Sequence, residues 1–383
     1  KALYEWEYPK QLLYTQILRD KIGDVIAGAA SLADAVDNAK DGDTILLRVG
    51  TYQGGVKIEK SLVILGQPAG GKMPVIEGDG KADTLELKMG TLRMEDIAVR
   101  QLQGSRHALS ARAGTLVLKR VSVDSESSYG FYNRGADVTA EASSFRARDY
   151  GLEHQEGSLI CNACTIAGSG KRGLSVGRDV RKAHFVDARV FDNGSNGGVS
   201  IAGPATFERC HIYRNKGTGV WVDRGVTGPV RMADCKVYDN IGTGLIAAGG
   251  EAVLEGLQAH RNNDDGLRAF GNARVRLVGF SAQENGGSGL DAYARAEVDL
   301  QGGELKANKE DGLSTGGSAR VVLKSCRVSQ NLRRGVWATG DSRVEIDGCD
   351  FSGNRDAYKI GDQASVTGRS VPPIPAPQAG AKR

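Results

Sequence analysis

The sequence is poor in aromatic residues and in proline, and it contains no long apolar run. Of its 383 residues 6% are aromatic and nine are proline, whereas 53 are glycine. A membrane-spanning helix needs about 18 or more consecutive apolar residues and is therefore excluded. Glycine spread along the whole chain excludes a coiled coil, and the lack of a G-X-Y period excludes collagen.

An excess of charge of either sign is also lacking. Lys and Arg number 50, and Asp and Glu number 46, which leaves a net charge of +4. No basic stripe with interleaved aromatic residues is present, so the sequence predicts neither a nucleic acid nor a membrane as partner. The five histidines show none of the spacings of a metal site, and we predict no metal and no cofactor.

What the sequence has instead is an internal repeat. The pattern Asn-x-x-x-Gly, followed by Leu or Val, recurs at spacings of 25, 22, 23, 23 and 23 residues. Stretches between the copies, such as Val321–Val328, alternate apolar and polar residues as half-buried strands do. A period of about 23 residues without helical stretches predicts a parallel β-solenoid. The copies are Asn215–Gly219, Asn240–Gly244, Asn262–Gly266, Asn285–Gly289, Asn308–Gly312 and Asn331–Gly335.

The two fixed residues of the repeat have separate predicted roles. Asn tolerates left-handed backbone and so permits a tight bend at the same place in every turn. Stacked Asn side chains can also hydrogen-bond from one turn to the next. Glycine four residues later permits close approach of the backbone. Weaker copies extend upstream, and we expect about 12–13 turns in all.

Both ends of the chain differ from the repeat. Residues Ser31–Lys40 predict a short helix with Ser31 as its N-cap, and this helix would cover the open end of the solenoid. We therefore expect an N-terminal joint or capping segment at residues 1–26 and the solenoid at residues 27–365. An extended, proline-rich tail is expected at residues 366–383.

The segment Leu32–Gly66, LADAVDNAKDGDTILLRVGTYQGGVKIEKSLVILG, resembles the first turn of right-handed parallel β-helix proteins of the pectin-lyase-like group. This group includes pectin methylesterases, periplasmic copper-site accessory proteins and the β-helix region of certain F-box proteins. The resemblance covers about residues 25–365. It implies an all-β, right-handed parallel β-helix, but no particular activity, because one fold hosts many.

The six cysteines are predicted to be core residues. Five of them occupy the same position in their turns, which indicates a stack of small buried side chains. Parallel side chains disfavour disulfide geometry, and Cys161-x-x-Cys164 has no second pair that would complete a zinc site. Unpaired thiols favour a reducing compartment, so we expect a cytoplasmic protein. His154 is expected to stack on Asn133 in the interior.

The strand that follows each repeat glycine carries the predicted binding surface. Alternation directs the first and third residues after the glycine inward and the second and fourth outward. Outward aromatic residues mixed with Arg and Asp are typical of a surface that binds a sugar polymer or a partner protein. This predicted face contains Tyr132, Arg134, Glu153, Trp221, Asp223, Arg268, Phe270, Asp291, Tyr293 and Trp337.

Known catalytic patterns of the fold are missing from this face. Three turns separate Asp223 from Asp291, about 14 Å at the usual strand spacing, which is too far for a glycosidase pair. Arg268 is expected to pair with Asp291, and Arg333-Arg334 with Glu310-Asp311.

Two short segments resemble catalytic motifs only in part. Asp264-Asp265 resembles the paired acids of polygalacturonases, but their G-H-G and R-I-K are absent. Val220–Arg224 resembles the W-I-D-H of pectate lyases, but Arg224 replaces the histidine.

Two hypotheses of function follow. The first is a non-catalytic β-helix that acts as a binding or scaffold module for a protein or a carbohydrate. The alternative is a lyase, hydrolase or epimerase that acts on a polysaccharide through a site not recognised from its motifs. Its only catalytic candidates are Asp223, Arg268 and Asp291.

Overall fold

The computed structural model describes residues 31–369, in two compact units. The units are Lys1–Gly170 and Lys171–Arg383. Both consist of parallel strands, and the chain forms a parallel β-solenoid of about 14 turns with ~23 residues per turn. The predicted joint at residues 1–26 lies outside the described residues, as does the predicted tail beyond Arg369.

The first unit begins with helix α1 (Leu32–Asn38). Strands follow in the order β1 (Thr44–Arg48), β2 (Thr51–Gln53), β3 (Val56–Ile58), β4 (Leu62–Gln67), β5 (Val75–Gly78), β6 (Leu85–Leu87), β7 (Thr91–Glu95), β8 (Ala98–Gln101), β9 (Leu109–Ala111), β10 (Thr115–Lys119), β11 (Ser122–Ser125), β12 (Tyr129–Glu141), β13 (Ser144–Ala147), β14 (Tyr150–Asn162) and β15 (Thr165–Ala167).

The second unit consists of strands among its described residues. They are β16 (Arg172–Val186), β17 (Arg189–Phe191), β18 (Gly197–Ile201), β19 (Ala205–Glu208), β20 (His211–Tyr213), β21 (Val220–Val222), β22 (Val230–Ala233), β23 (Lys236–Tyr238), β24 (Leu245–Ala247), β25 (Glu251–Glu255), β26 (Gln258–His260), β27 (Leu267–Ala269), β28 (Arg274–Gln283), β29 (Leu290–Ala292), β30 (Glu297–Lys306), β31 (Leu313–Thr315), β32 (Arg320–Ser329), β33 (Arg334–Ala338), β34 (Arg343–Asp347), β35 (Asp356–Ile360) and β36 (Ser365–Arg369).

Helix α1 is the predicted cap. The Ser31 hydroxyl accepts from the backbone N–H of Asp34, and the Asp34 carboxylate accepts from the backbone N–H of Ser31. At the other end, Nζ of Lys60 donates to three carbonyl groups at 2.7–3.2 Å. Both ends of this short helix are therefore satisfied by hydrogen bonds. Its buried residues Leu32 and Val36 join the core.

Each turn supplies one strand to each of three parallel sheets. In the second unit, β22 pairs with β25, β23 with β26, and β24 with β27. The third sheet contains the strands that follow the repeat glycine. Its predicted inward residues are fully buried, which confirms the assigned alternation. They are Val220, Val222, Leu245, Ala247, Leu267, Ala269, Leu290, Ala292, Val336 and Ala338.

A ladder of asparagines runs through the second unit from Asn193 to Asn354. Each Nδ2 donates to Oδ1 of the asparagine one turn further at 2.9–3.1 Å. The same oxygen also accepts the backbone N–H of the preceding asparagine. The predicted ladder is confirmed. The left-handed residue, however, is the one before each asparagine, such as Arg261 or Glu284 with φ of 53° and 56°.

The repeat glycine has the predicted close approach. A Cβ atom on Gly289 would lie 2.8 Å from Nδ2 of Asn308 and 2.9 Å from the carbonyl oxygen of Gly312. The glycine therefore leaves room for the ladder, and its φ is not positive.

The cysteines and the interior histidine are core residues, as predicted. All six cysteines are buried, and none of them forms a disulfide. Backbone N–H groups of Cys210 and Cys326 each lie 3.4 Å from the sulfur of the cysteine one turn further. Nδ2 of Asn133 lies 2.8 Å from Nδ1 of His154, and both side chains are fully buried. Within residues 31–369, no helix has the length and apolar character needed to cross a membrane.

Candidate functional site

The outward side of the third sheet in the second unit carries most of the predicted binding residues, and we name it the unit-2 face. Successive strands place Trp221, Ile246, Arg268, Asp291, Ser314 and Trp337 in one column. A second column, two residues further along each strand, contains Asp223, Ala248, Phe270, Tyr293, Gly316 and Thr339.

An aromatic cluster lies at the centre of this face. The rings of Phe270 and Tyr293 stack with centroids 5.2 Å apart and an angle of 11°. Trp221 packs edge-on against Phe270 at 6.2 Å, and Ile246 and Ala248 lie between them. Tyr293 is 39% exposed and Trp221 is half-buried, whereas Phe270 is only 8% exposed. The expectation that Phe270 is an exposed platform residue is therefore wrong, because its neighbours from other turns cover it.

The loop 223–229 forms one side of the aromatic cluster. It is held in place by an ion pair of 3.3 Å between Arg178 and Asp223 and by a hydrogen bond from Thr227 to the Arg178 carbonyl at 2.7 Å. The guanidinium of Arg224 lies 5.3 Å from the Phe270 ring centroid, a cation–π contact. Arg224 is exposed and has no ion pair among the described residues. Arg224 thus places an exposed cation against the aromatic cluster, where it covers the buried ring of Phe270.

Arg268 is surrounded by three carboxylates. It contacts Asp265, lies 3.3 Å from Asp264, and its Nε donates to Asp291 at 3.1 Å, as predicted for the last pair. Burial raises the pKa of Asp265 to about 6, although Arg268 opposes this effect. Burial also raises the pKa of Asp291. In this cluster, the carboxyl groups of Asp265 and Asp291 therefore ionise less readily than usual.

The geometry of this cluster favours a structural role. The second oxygen of Asp265 accepts the backbone N–H of Ser288 at 2.7 Å, and its side chain is only 5% exposed. Both carboxylate oxygens of Asp265 are thus bonded to groups of the protein itself. The three catalytic candidates are not all brought together either. Arg268 contacts Asp291, but Asp223 lies in the loop after β21, three turns from Asp291, and pairs with Arg178.

Trp337 lies two turns beyond Tyr293 and is separate from the aromatic cluster. The guanidinium of Arg334 covers its ring at 4.9 Å. Arg333 lies 3.1 Å from Glu310, and Arg334 lies 3.6 Å from Asp311, which confirms the predicted ion pairs. Trp337 is therefore held by a local charge network.

The remaining predicted residues, Tyr132, Arg134 and Glu153, lie in the first unit. Tyr132 and Glu153 are neighbours on paired strands, and Arg134 is exposed. The imidazole of His107 stacks on Tyr132 at 4.8 Å, and its Nδ1 lies 3.0 Å from Oδ1 of Asp83. Sequence reasoning missed this pair. The register of the turns would have indicated the pair, because Asp83 and His107 each lie two positions before a strand of the third sheet.

A family model described as the right-handed beta helix region matches residues 107–253 and 198–370, which is more than half of the sequence. The chain belongs to the right-handed β-helix family. This assignment agrees with the parallel pairing and with the three strands per turn. Among curated proteins, no sequence matches this one.

Solved structures of similar β-helices share little sequence with this chain. The A-module of the Azotobacter vinelandii mannuronan C-5 epimerase AlgE4 is 17% identical, with a TM-score of 0.51, over 92% of this chain and 99% of that one. Tailspike protein 3 of bacteriophage CBA120 is 15% identical, with a TM-score of 0.56, over 94% and 62%. The catalytic unit of a GH87 α-1,3-glucanase from Streptomyces thermodiastaticus is 13% identical, with a TM-score of 0.51, over 92% and 68%. These likenesses are evidence for the fold alone.

Proposed function

We propose that this β-helix binds a polysaccharide through the unit-2 face, and that this face acts as a non-catalytic binding surface. The observation that carries the proposal is the exposed ring of Tyr293, which is stacked on buried Phe270 and lies in one cluster with Trp221. A ring that is fixed by a second ring loses little entropy when a sugar stacks on it. Arg224 adds hydrogen-bond donors at the edge of the cluster.

The architecture supports a linear ligand. Successive turns place the residues of the unit-2 face in columns along parallel strands, so that adjacent sugar units would meet adjacent turns. The names of two similar structures, a mannuronan epimerase and an α-1,3-glucanase, are those of polysaccharide-acting enzymes. Because these likenesses concern the fold, they support the ligand class only as a precedent.

A second candidate function is catalysis on the same polysaccharide. The observation that favours it is the raised pKa of Asp265 and Asp291, since acid–base groups at active sites are tuned in this way. The burial of Asp265 and its two occupied oxygens favour the binding function instead. A protein partner remains the alternative occupant of the face. It is favoured if no polysaccharide binds.

The test is a binding assay with alginate, polygalacturonate, α-1,3-glucan and neutral xylan, by affinity electrophoresis and calorimetry. We expect one class to bind, and we expect Tyr293→Ala to weaken that binding by about tenfold or more. Leu332→Ala is the matched control, because Leu332 is 66% exposed on a loop outside the face. Absence of binding to all four polymers, or equal binding by Tyr293→Ala, contradicts the proposal.

The same samples separate binding from catalysis. After prolonged incubation, product analysis by mass spectrometry should show the bound polysaccharide unchanged in chain length and in its sugar residues. Cleavage or epimerisation that disappears in Asp291→Asn would establish the enzymatic alternative.

The predicted cytoplasmic location has no support from the structure. All six cysteines are buried and none forms a disulfide. A buried structural thiol is chemically inert, so the number of free cysteines does not identify the compartment.

A further inference from the structure

The first unit contains a hydrogen-bonded carboxylate and imidazole that the proposed binding function does not use. Oδ1 of Asp83 accepts the backbone N–H of His107 at 3.0 Å and lies 3.0 Å from its Nδ1. Oδ2 accepts the hydroxyl of Ser110 at 2.7 Å. The two residues occupy equivalent positions in successive turns, before β6 and β9. The solenoid register therefore builds this pair.

The carboxylate fixes the protonation of the ring. Burial alone would raise the pKa of Asp83, but the hydrogen bonds from His107 and Ser110 outweigh it and lower the pKa to about 2. An ionised carboxylate at Nδ1 keeps the proton on that nitrogen and leaves the lone pair on Nε2. Nε2 has no hydrogen bond among residues 31–369, and the His107 side chain is 22% exposed. Nε2 is thus an accessible base.

Aromatic rings hold the imidazole in place. Tyr132 stacks on it at 4.8 Å with an angle of 15°, and Tyr129 packs at 5.4 Å with an angle of 50°. Tyr129 in turn stacks on Tyr150 at 5.1 Å. The base is therefore held from both the carboxylate and the ring face, which is the preorganisation that proton transfer requires. Tyr129 and Tyr132 each also carry a phenol O–H group.

The hydrogen-bond pattern excludes two kinds of chemistry. Ser110 donates to Asp83 and not to the imidazole, so it is not an activated nucleophile. Both oxygens of Asp83 are occupied, so it cannot act as one of the two free carboxylates of a glycosidase. General-base activation of a water molecule by His107 is the chemistry that remains.

The charged side chains around His107 indicate which class of substrate the site fits. Three carboxylates, of Asp83, Glu86 and Glu153, lie around the site, and Arg112 is already bound to Glu86. Arg134 lies on the same strands and Arg106 directly precedes the base, so that the arginines equal the carboxylates in number. A site without net charge fits a neutral substrate. We propose that His107 is the general base of an esterase site that hydrolyses neutral acyl esters, such as the O-acetyl groups of a glycan.

In the proposed step, Nε2 takes a proton from water while the water oxygen bonds to the ester carbonyl carbon. The phenols of Tyr129 and Tyr132 are the donors available to the resulting oxyanion. When the intermediate collapses, the bond between carbonyl carbon and alkoxy oxygen breaks, and this oxygen takes the proton from Nε2. The products are a carboxylic acid and an alcohol, and the imidazole returns to its neutral form.

The experiment measures hydrolysis of p-nitrophenyl acetate and release of acetate from O-acetylated xylan by the full chain. We expect the rate to rise with pH and then level off, because only an imidazole with a free lone pair on Nε2 can take a proton from water. His107→Gln should lower the rate by about 10²–10⁴-fold. His260→Gln, on a second-sheet strand of the other unit, should leave it unchanged.

A positioning role of Asp83 has its own readout. Asp83→Asn removes the negative charge that holds the imidazole tautomer, so kcat should fall while KM stays unchanged. Tyr132→Phe keeps the ring and tests the phenol alone. The proposal is overturned if the folded wild-type chain hydrolyses both esters no faster than folded His107→Gln. Because these substrates need not touch the unit-2 face, failure here is distinct from failure of polysaccharide binding.

Discussion

The same turns of the second unit build two parts of the molecule, the interior corner that carries the asparagine ladder and the outward unit-2 face. The corner has the same residue in every turn, whereas the residues of the face change from turn to turn. At the corner, every turn from Asn193 to Asn354 places the same residue, and each copy hydrogen-bonds to the next. On the unit-2 face, neighbouring positions change from Trp221 to Ile246, Arg268 and Asp291.

This difference shows where a solenoid can vary. A ladder works only when each residue satisfies the one below and above it, because a buried amide without partners is costly. An outward position has no such constraint, so its residues are free to form the aromatic cluster of Trp221, Phe270 and Tyr293. The corner therefore carries stability, and the face is available for recognition.

Breaking the ladder should have the largest effect on stability. Asn285→Ala removes the acceptor of Asn262 and the donor to Asn308 and to the Ala259 carbonyl, all in the buried interior. We expect the free energy of unfolding to fall by about 2–4 kcal/mol, because several buried polar groups lose their partners. Thermal and urea unfolding measure this loss. Asn263→Ala, at the neighbouring exposed position, is the control and should change little.

Crowding the ladder should cost somewhat less. Gly289→Ala places a Cβ atom 2.8 Å from the Asn308 amide nitrogen, so the ladder must shift. We expect a loss of about 1–3 kcal/mol in the same unfolding measurements. Gly316→Ala meets only the Thr339 hydroxyl at 3.2 Å, a side-chain atom that can rotate, and should be nearly neutral. Equal losses in both variants would contradict the assigned close approach.

Much of the corner was predictable from sequence because it repeats. The spacing of Asn215, Asn240 and Asn262 indicates both the period and the ladder, and the alternation after each glycine indicates which residues point inward. The bend itself was assigned to the asparagine, but the residue before it has the left-handed backbone. Local propensity suggested Asn, whereas the ladder geometry requires an extended Asn and a left-handed predecessor.

The face was predictable only in part because its contacts join turns that are far apart in sequence. Phe270 lies outward as expected, but Trp221, Arg224 and Tyr293 cover it from two other turns. In the sequence, Asp265 stands out only as part of an incomplete catalytic motif. No periodic signal indicates that it is buried against Arg268. Side-chain packing on an irregular face is not encoded in the repeat.

The carboxylate cluster gives a pH dependence that the ladder lacks. Because burial raises the pKa of Asp265 to about 6, the folded protein binds a proton more readily than the unfolded chain. This contribution is fully present below the unfolded value of about 4 and is lost as the pH rises through 6. Lowering the pH from 7 to 4.5 should therefore stabilise the wild type relative to Asp265→Asn by on the order of 1–2 kcal/mol.

The comparison of melting curves at several pH values measures this difference. Taking the wild type relative to Asp265→Asn removes contributions common to both proteins, including those of His211 and His260, whose pKa values are lowered by burial. Identical pH dependence in the two proteins would show that Asp265 ionises as an ordinary surface carboxyl does.

The cysteines should behave as interior residues with no effect on the face. All six cysteines are buried and none forms a disulfide, so a thiol reagent should label them only after denaturation and without prior reductant. Mass spectrometry counts the labels. Three disulfides, or rapid labelling of the folded chain, would be incompatible with the core stack.

The division between corner and face is tested most directly by measuring stability and binding on the same Tyr293→Ala protein. We expect its Tm to stay within about 2 °C of the wild type, because Tyr293 is 39% exposed. Its Kd for the bound polysaccharide should rise about tenfold or more. A large fall in Tm with unchanged Kd would contradict the account, since Tyr293 would then support the fold and not recognition.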